Sequence, residues 1–157
     1  MENVTAEGQY FILQSNRLKL KNVTMNGKYS FQYITDSVFE NCTFDTKDAF
    51  WHAKNVTVRN SVIKGEYLAW YGKNIRLVRC HLTGEQLLCY VDGLVLEDCT
   101  FGSDANLLFE YSSVSGTIKG DVVCIKNPTT GTLQIEGECG EFIIDENQKQ
   151  PADFVLV

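Results

Sequence analysis

A period of nineteen residues governs this chain more tightly than any motif in it. Segments beginning at Leu18, Ser37, Val56, Ile75 and Leu94 align column by column. The fifth column reads Asn22, Asn41, Asn60, Arg79, Asp98; the sixth reads Val23, Cys42, Ser61, Cys80, Cys99; the eighth reads Met25, Phe44, Ile63, Leu82, Phe101. A fixed period near twenty, with apolar residues recurring in column, belongs to stacked units that bury a core only by lying on their neighbours.

Each unit opens with alternating apolar positions, as in Leu18-Lys-Leu20, Val56-Thr-Val58, Ile75-Arg-Leu77 and Leu94-Val-Leu96, which is the pattern of a half-buried strand. The fifth column holds short polar residues that tolerate unusual backbone angles, so the chain turns there, and stacked Asn22, Asn41 and Asn60 are expected to form an amide ladder. A second strand follows, with the sixth and eighth columns inward and Thr24, Thr43, Val62, His81 and Thr100 outward. Gly27, Gly65 and Gly84 mark the next corner. A third strand is expected over Tyr29 to Ile34, Asp48 to Ala53, Tyr67 to Gly72, Gln86 to Val91 and Leu107 to Tyr111. Three short strands and three corners per turn define an all-β parallel β-helix, read as right-handed because its sides are too unequal for the left-handed hexapeptide form.

The whole chain, 1–157, reads as one domain. Residues 1–17 form an incomplete first turn, 18–113 five regular turns, 114–145 irregular last turns and 146–157 a tail. Asn106-Leu-Leu-Phe-Glu110 aligns with Gln86-Leu-Leu-Cys-Tyr90, which implies one extra residue in the fifth turn. The apolar run Phe154 to Val157 is expected to lie across the final turn as a cap. At the other end Asn3-Val4-Thr5-Ala6 and Gly8 fall in register with Asn22-Val23-Thr24-Met25 and Gly27. That register leaves an open strand edge, to be covered by further amino-terminal turns or by a second copy in a homo-oligomer.

A net charge of −6 without a basic run argues against nucleic acid and anionic membrane as partners. Glu2, Glu7, Arg17 and Lys19 interrupt the apolar pieces of the first twenty residues, so neither a signal peptide nor a spanning segment is read there, and a cytoplasmic location is expected. Cys42, Cys80 and Cys99 share an inward column with Val23 and Ser61 and behave as small core residues, expected as thiols. No Cys-x-x-Cys spacing occurs, and no metal or cofactor is called for.

Chemistry concentrates on the third side. With strict alternation, one set (Ala49, Trp51, Leu68, Trp70, Leu87, Cys89, Leu107, Phe109) points inward, because the other contains His52 and Glu110, which are costlier to bury. The outer column is then Tyr33, His52, Tyr71, Tyr90 and Glu110, flanked by Phe31, Phe50 and Leu88: an aromatic face suited to an extended glycan or to another protein chain. At the preceding corner Glu66 follows Gly65 and Glu85 follows Gly84, with Asp104 one turn on. Glutamates stacked one rung apart lie about 5 Å from each other, in the range of a retaining glycosidase pair. Splayed polar corner residues, like Lys28 and Lys47 in the same column, are the plainer reading.

Several strings point to one family: Tyr29-Ser-Phe-Gln32, Thr46-Lys-Asp-Ala-Phe-Trp-His52, Asn55-Val-Thr-Val58, Gly65-Glu-Tyr-Leu68 with Trp70-Tyr71, Leu88-Cys-Tyr90, Phe109-Glu-Tyr-Ser112, and Lys126-Asn-Pro128 with Gly131. Together, over roughly Asn22 to Gly131, they resemble the uncharacterised bacterial domain-of-unknown-function family 3737, whose fold is similar to the pectin-lyase-type right-handed β-helix. The resemblance implies a longer family protein of which this chain is the carboxy-terminal half, and it carries no catalytic residue over. The chain departs from the family pattern at Gly84-Glu-Gln-Leu87. The leading expectation is a non-catalytic binding or assembly module that presents its aromatic face. The alternative is a carbohydrate-active enzyme, a polysaccharide lyase or glycoside hydrolase, using Glu66 with Glu85 or Asp104 beside the Tyr33, His52, Tyr71, Tyr90 column.

Overall fold

A computed structural model of the chain describes residues 1–148 and 153–157. It is an all-β solenoid of about eight turns with about 19 residues per turn. The strands are β1 (Glu2–Gln9), β2 (Lys19–Lys28), β3 (Thr35–Glu40), β4 (Thr43–Lys47), β5 (Lys54–Arg59), β6 (Val62–Lys64), β7 (Lys73–Val78), β8 (His81–Thr83), β9 (Asp92–Phe101), β10 (Val114–Ile118), β11 (Val122–Lys126), β12 (Thr130–Ile135), β13 (Cys139–Ile143) and β14 (Asp153–Leu156). Every pairing between them is parallel.

Two sides carry the regular ladder. On the first, β3, β5, β7 and β9 stack so that Phe39, Val58, Leu77 and Leu96 lie over one another. On the second, Thr24, Thr43, Val62, His81 and Thr100 form one column, and Met25, Phe44, Ile63, Leu82 and Phe101 the next. The eighth-column residues are buried and the threonine column is not, because a pleat sends neighbours to opposite faces. Val4 pairs with Val23 and Gly8 with Gly27, the register read from the sequence. The nineteen-residue period therefore equals one circuit of the chain.

Corners are set by residues in left-handed backbone conformations. Asn3, Asn22, Asn41, Asn60, Arg79 and Asp98 hold φ between 48° and 55°, where asparagine and aspartate are the least penalised of residues with a side chain. Their amides do not make the continuous ladder expected of Asn22, Asn41 and Asn60. Asn22 donates to Asn3 and Arg79 to Asn60, and the longer amide chain stands at the neighbouring corner, where Asn74 donates to Asn55 and Asn55 to Asp36. The corner glycines are required by close approach: a Cβ on Gly27 would run into the Gly8 carbonyl, and one on Gly84 would lie 2.6 Å from the Gly65 oxygen.

The third side of the regular turns is not a strand. Tyr29, Phe31 and Tyr33 have φ of 62°, 60° and 57°, and Asp48, Phe50 and His52 repeat the same alternation, as do Tyr67, Ala69 and Tyr71. Alternate left-handed residues break the pleat, so two successive columns point inward and the next two outward, although the small Cys89 in the column of Trp51 and Trp70 is itself buried. Ser30, Ala49, Leu68, Leu87 and Leu108 are buried, and so are Phe31, Phe50, Ala69, Leu88 and Phe109. The inward set expected from strict alternation is corrected accordingly: Trp51 and Trp70 face out, and Phe31, Phe50 and Leu88 belong to the core. Phe31 packs on Phe39, Phe44 and Phe50 with ring centroids 5.0–5.1 Å apart, joining all three sides.

Two residues, not one, are inserted in the fifth turn. Phe101 pairs with Leu82, but Tyr90 N–H donates to the Glu110 carbonyl and the Tyr111 ring stacks on Tyr90, so Tyr111 and not Glu110 continues the column. Beyond Val114 the turns shorten, with Gly116 opposite Leu133 and Val122 opposite Cys139, and only there does the third side become a true ladder, β11 on β13. The last apolar run adds a parallel rung, Phe154 opposite Gly131 and Leu156 opposite Leu133, in place of lying across the turn. Of the loop expected at Glu146 to Pro151, residues 149–151 lie outside the described residues.

Cys42, Cys80 and Cys99 are buried in the inward column, as expected, and are free thiols. Each thiol donates to main-chain carbonyls, Cys99 to Leu77 at 3.3 Å for example. The Cys99 thiol beside it, together with burial, pushes the Cys80 thiol well above its ordinary range.

Candidate functional site

The outward part of the third side carries two aromatic columns. In the first, Tyr33 stacks on His52 (centroids 4.8 Å, planes 7° apart), His52 on Tyr71 (5.2 Å, 13°), Tyr71 on Tyr90 (4.9 Å, 18°) and Tyr90 on Tyr111 (5.4 Å, 29°). In the second, Trp51 stacks on Trp70 (5.6 Å, 5°). The rung spacing of a parallel ladder, about 4.8 Å, nearly equals the contact distance of stacked rings, so identical positions on successive turns fall into ring contact.

Stacking along the axis uses up the ring faces. Each inner ring of the tyrosine column has a neighbour above and below, so solvent meets ring edges and hydroxyl tips. Tyr33 and Tyr71 are still 50% and 46% exposed, which makes the column a ridge and not a floor. A flat sugar, one of the two ligands the aromatic face suggests, finds the inner ring faces already occupied. Burial, then the nearby Glu110 carboxylate, pushes the Tyr90 hydroxyl above its ordinary range, so it stays protonated and available as a donor.

The tryptophan column is held by its own polar atoms. Trp51 Nε1 donates to the Tyr67 carbonyl at 2.6 Å, Trp70 Nε1 to the Gln86 carbonyl at 2.7 Å, and Gln32 Nε2 in the same column to the Asp48 carbonyl at 2.9 Å. These three carbonyls accept no main-chain N–H in the arc, so the side chain one turn below supplies the missing donor. The recurrence of Gln32, Trp51 and Trp70 at nineteen-residue spacing is the sequence signal for this role, visible once their column is known to face out.

Glu110, expected within the ridge, stands one position before it. Its carboxylate pairs with Lys126 Nζ at 3.1 Å, its side chain is only 13% exposed, and Lys126 also reaches Asp145 at 3.4 Å. The pair ties the fifth turn to β11.

Glu66, Glu85 and Asp104 do come together. All three line an open groove of about 690 Å³ that follows the glycine corner and is also lined by Ser103, Asn106 and Val123. Glu66 is engaged by Lys47 at 3.1 Å, and Lys64 pairs with Asp45 at 3.3 Å. None of Tyr33, His52, Tyr71, Tyr90 or Tyr111 lines this groove. The link between groove and ridge is Lys47, which lies 5.1 Å over the Tyr67 ring, and Tyr67 in turn meets Trp70 edge-on at 5.3 Å. No cluster of three or more histidine, cysteine, aspartate or glutamate side chains able to hold a metal occurs among the described residues.

A long parallel solenoid with a self-stacked aromatic ridge and a charged corner groove places the molecule among β-solenoid repeat proteins. The chain belongs to the family described as "Protein of unknown function (DUF3737)", whose model matches residues 1–157. No curated protein matches the chain. No solved structure matches it either. Among the described residues no helix is long and apolar enough to cross a membrane.

Proposed function

We propose that this chain is a non-catalytic binding module that docks on a protein surface through its aromatic ridge. The observation that carries the reading is the stacking of Tyr33, His52, Tyr71, Tyr90 and Tyr111, which leaves edges and hydroxyls outward. Aromatic edges and phenol tips suit main-chain carbonyls and mixed polar surfaces, and tyrosine and tryptophan dominate the energetics of such interfaces. Engagement of Glu66 by Lys47, and the absence of the ridge from the groove that holds the carboxylates, weigh against the glycan-acting enzyme. The same reading puts the module in the cytoplasm, where buried thiols such as Cys42, Cys80 and Cys99 remain reduced.

The test is the solution mass of the chain by light scattering over a range of concentrations, beside a panel of immobilised glycans, for the parent and for Tyr71→Ala. Self-association or capture of a defined protein that Tyr71→Ala abolishes supports the reading. Glycan binding lost in Tyr71→Ala replaces the partner class. Glycan turnover abolished by Glu66→Gln overturns the reading in favour of the enzyme.

A further inference from the structure

The corner groove is lined by none of the ridge rings. Its charges are ordered along the solenoid axis: Lys28 and Lys47 occupy successive rungs, and Glu66, Glu85 and Asp104 those that follow. Lys47 and Glu66 neutralise each other at the junction, and Asp45 and Lys64 do the same beside them. What the groove still offers a ligand is a cation at one end, Lys28, and two carboxylates at the other, Glu85 and Asp104, all exposed and in no ion pair among the described residues.

The acidic end has further recognition chemistry. Asn106 spends its carbonyl oxygen on the Leu107 N–H at 2.9 Å, which leaves its amide hydrogens for a ligand acceptor, and Val123, 40% exposed, supplies apolar contact. Both line the groove where the regular turns give way to the shortened ones. From Lys28 to Asp104 is four rungs, about 19 Å at the spacing of a parallel ladder. An extended polypeptide covers that span in about six residues. The volume of about 690 Å³ lies within the range of ligand clefts.

We propose that this groove binds an extended peptide segment that carries a lysine or arginine at one end and a carboxylate at the other. A ligand of one sign satisfies one end and is repelled at the other, whereas a polypeptide commonly carries both signs on one unbranched chain. The ammonium or guanidinium lies between Glu85 and Asp104 in charge-assisted hydrogen bonds, and the carboxylate meets Lys28. Since both charges sit on side chains, either chain direction fits.

The experiment titrates the full chain with a capped six-residue peptide of lysine, four glycines and glutamate, in both directions, and follows backbone amide shifts. Controls are the same peptide with glutamine at both ends and a simple linear polyamine. The expected result is saturable shifts centred on Gly27, Lys28, Gly84, Glu85 and Asn106, weakened roughly tenfold by Glu85→Gln with Asp104→Asn, and weakened again by salt. Those two residues are exposed, so the double variant tests binding without a folding defect. Equal binding of the glutamine peptide, equal binding of the polyamine, shifts elsewhere, or no saturable shift with either charged peptide each overturns the proposal.

Discussion

The indole N–H of Trp51 donates to the main-chain carbonyl of Tyr67, sixteen residues ahead and one rung up. The contact fastens the arc of one turn to that of the next, and Trp70 repeats it on Gln86. Trp51→Phe keeps a six-membered ring against Trp70 and removes the donor together with the rest of the indole. The expected loss is about 1–2 kcal/mol, because the Tyr67 carbonyl has no main-chain partner to replace it. Urea denaturation reads this directly, and an unchanged midpoint would mean that water serves the carbonyl equally well.

Tyr71 separates the contribution of stacking from that of its hydroxyl. Tyr71→Phe should leave stability within about 0.5 kcal/mol of the parent, and Tyr71→Ala should cost about 1–3 kcal/mol, since the ring contacts both His52 and Tyr90. Equal losses in the two variants would transfer the stabilisation to the hydroxyl.

Gly27 and Gly8 occupy the same corner column with φ of 155° and 152°. A Cβ on Gly27 would collide with the Gly8 carbonyl, while one on Gly8 meets nothing within 4 Å. Gly27→Ala should therefore cost about 3 kcal/mol or more and Gly8→Ala about 1 kcal/mol. A thermal melt of both variants decides whether close approach or backbone angle governs the corner.

Burial pushes the Asp48 carboxyl above its ordinary range, against the smaller opposing pull of Lys47. Its folded pKa thus exceeds the unfolded value of about 3.9, and as pH rises through that window the folded state resists an ionisation that the unfolded state accepts. Asp48→Asn should gain stability over the parent from acid to neutral pH, with the pH-dependent part of the difference absent below pH of about 3. A constant difference across the range would assign the whole effect to the ease with which asparagine adopts the φ of 57° found there.

Asn55 links Asp36 below to Asn74 above through its side chain, at a φ of 53°. Asn55→Ala loses both hydrogen bonds and keeps a Cβ in the left-handed region, for an expected cost of about 2–3 kcal/mol; Asn55→Gly relieves the backbone and should recover about 1 kcal/mol of it. Chemical denaturation of the pair reports the split.

The first two sides were legible because their residues obey two simple rules at once, a period of nineteen between turns and a period of two within each strand. Leu77 over Val58, and Leu82 over Ile63, satisfy both. The third side keeps the first rule and breaks the second. Tyr29, Phe31 and Tyr33 look like alternate residues of a strand, yet their positive φ values rotate what a pleat would alternate, and no residue type there announces it. Glycine or asparagine would have been the usual sign, and Tyr29, Phe31, Asp48, Ala69 and Leu88 stand in their place. The place of Glu110 is hidden for a related reason: an insertion of two residues leaves the apolar string Leu107-Leu-Phe109 alignable one position away, and the register is fixed by main-chain hydrogen bonds and by the stacking of Tyr111 on Tyr90. The carboxylates of the groove were legible as a column, whereas the Lys47–Glu66 pair depends on side-chain reach between rungs and not on column position.

The alternating backbone of the third side also bears on which strands can pair with it. Tyr29 and Tyr33 donate their N–H groups to the following turn, and Phe31 between them donates to the preceding one. An ordinary extended strand arriving from solution presents donors and acceptors in the cadence of a pleated sheet and cannot match this order without adopting left-handed residues itself. Where it alternates, up to Tyr111, the third side is thereby a poor template for foreign strands and a good one for turns of its own kind, a property that the ordinary ladder of β11 on β13 does not share.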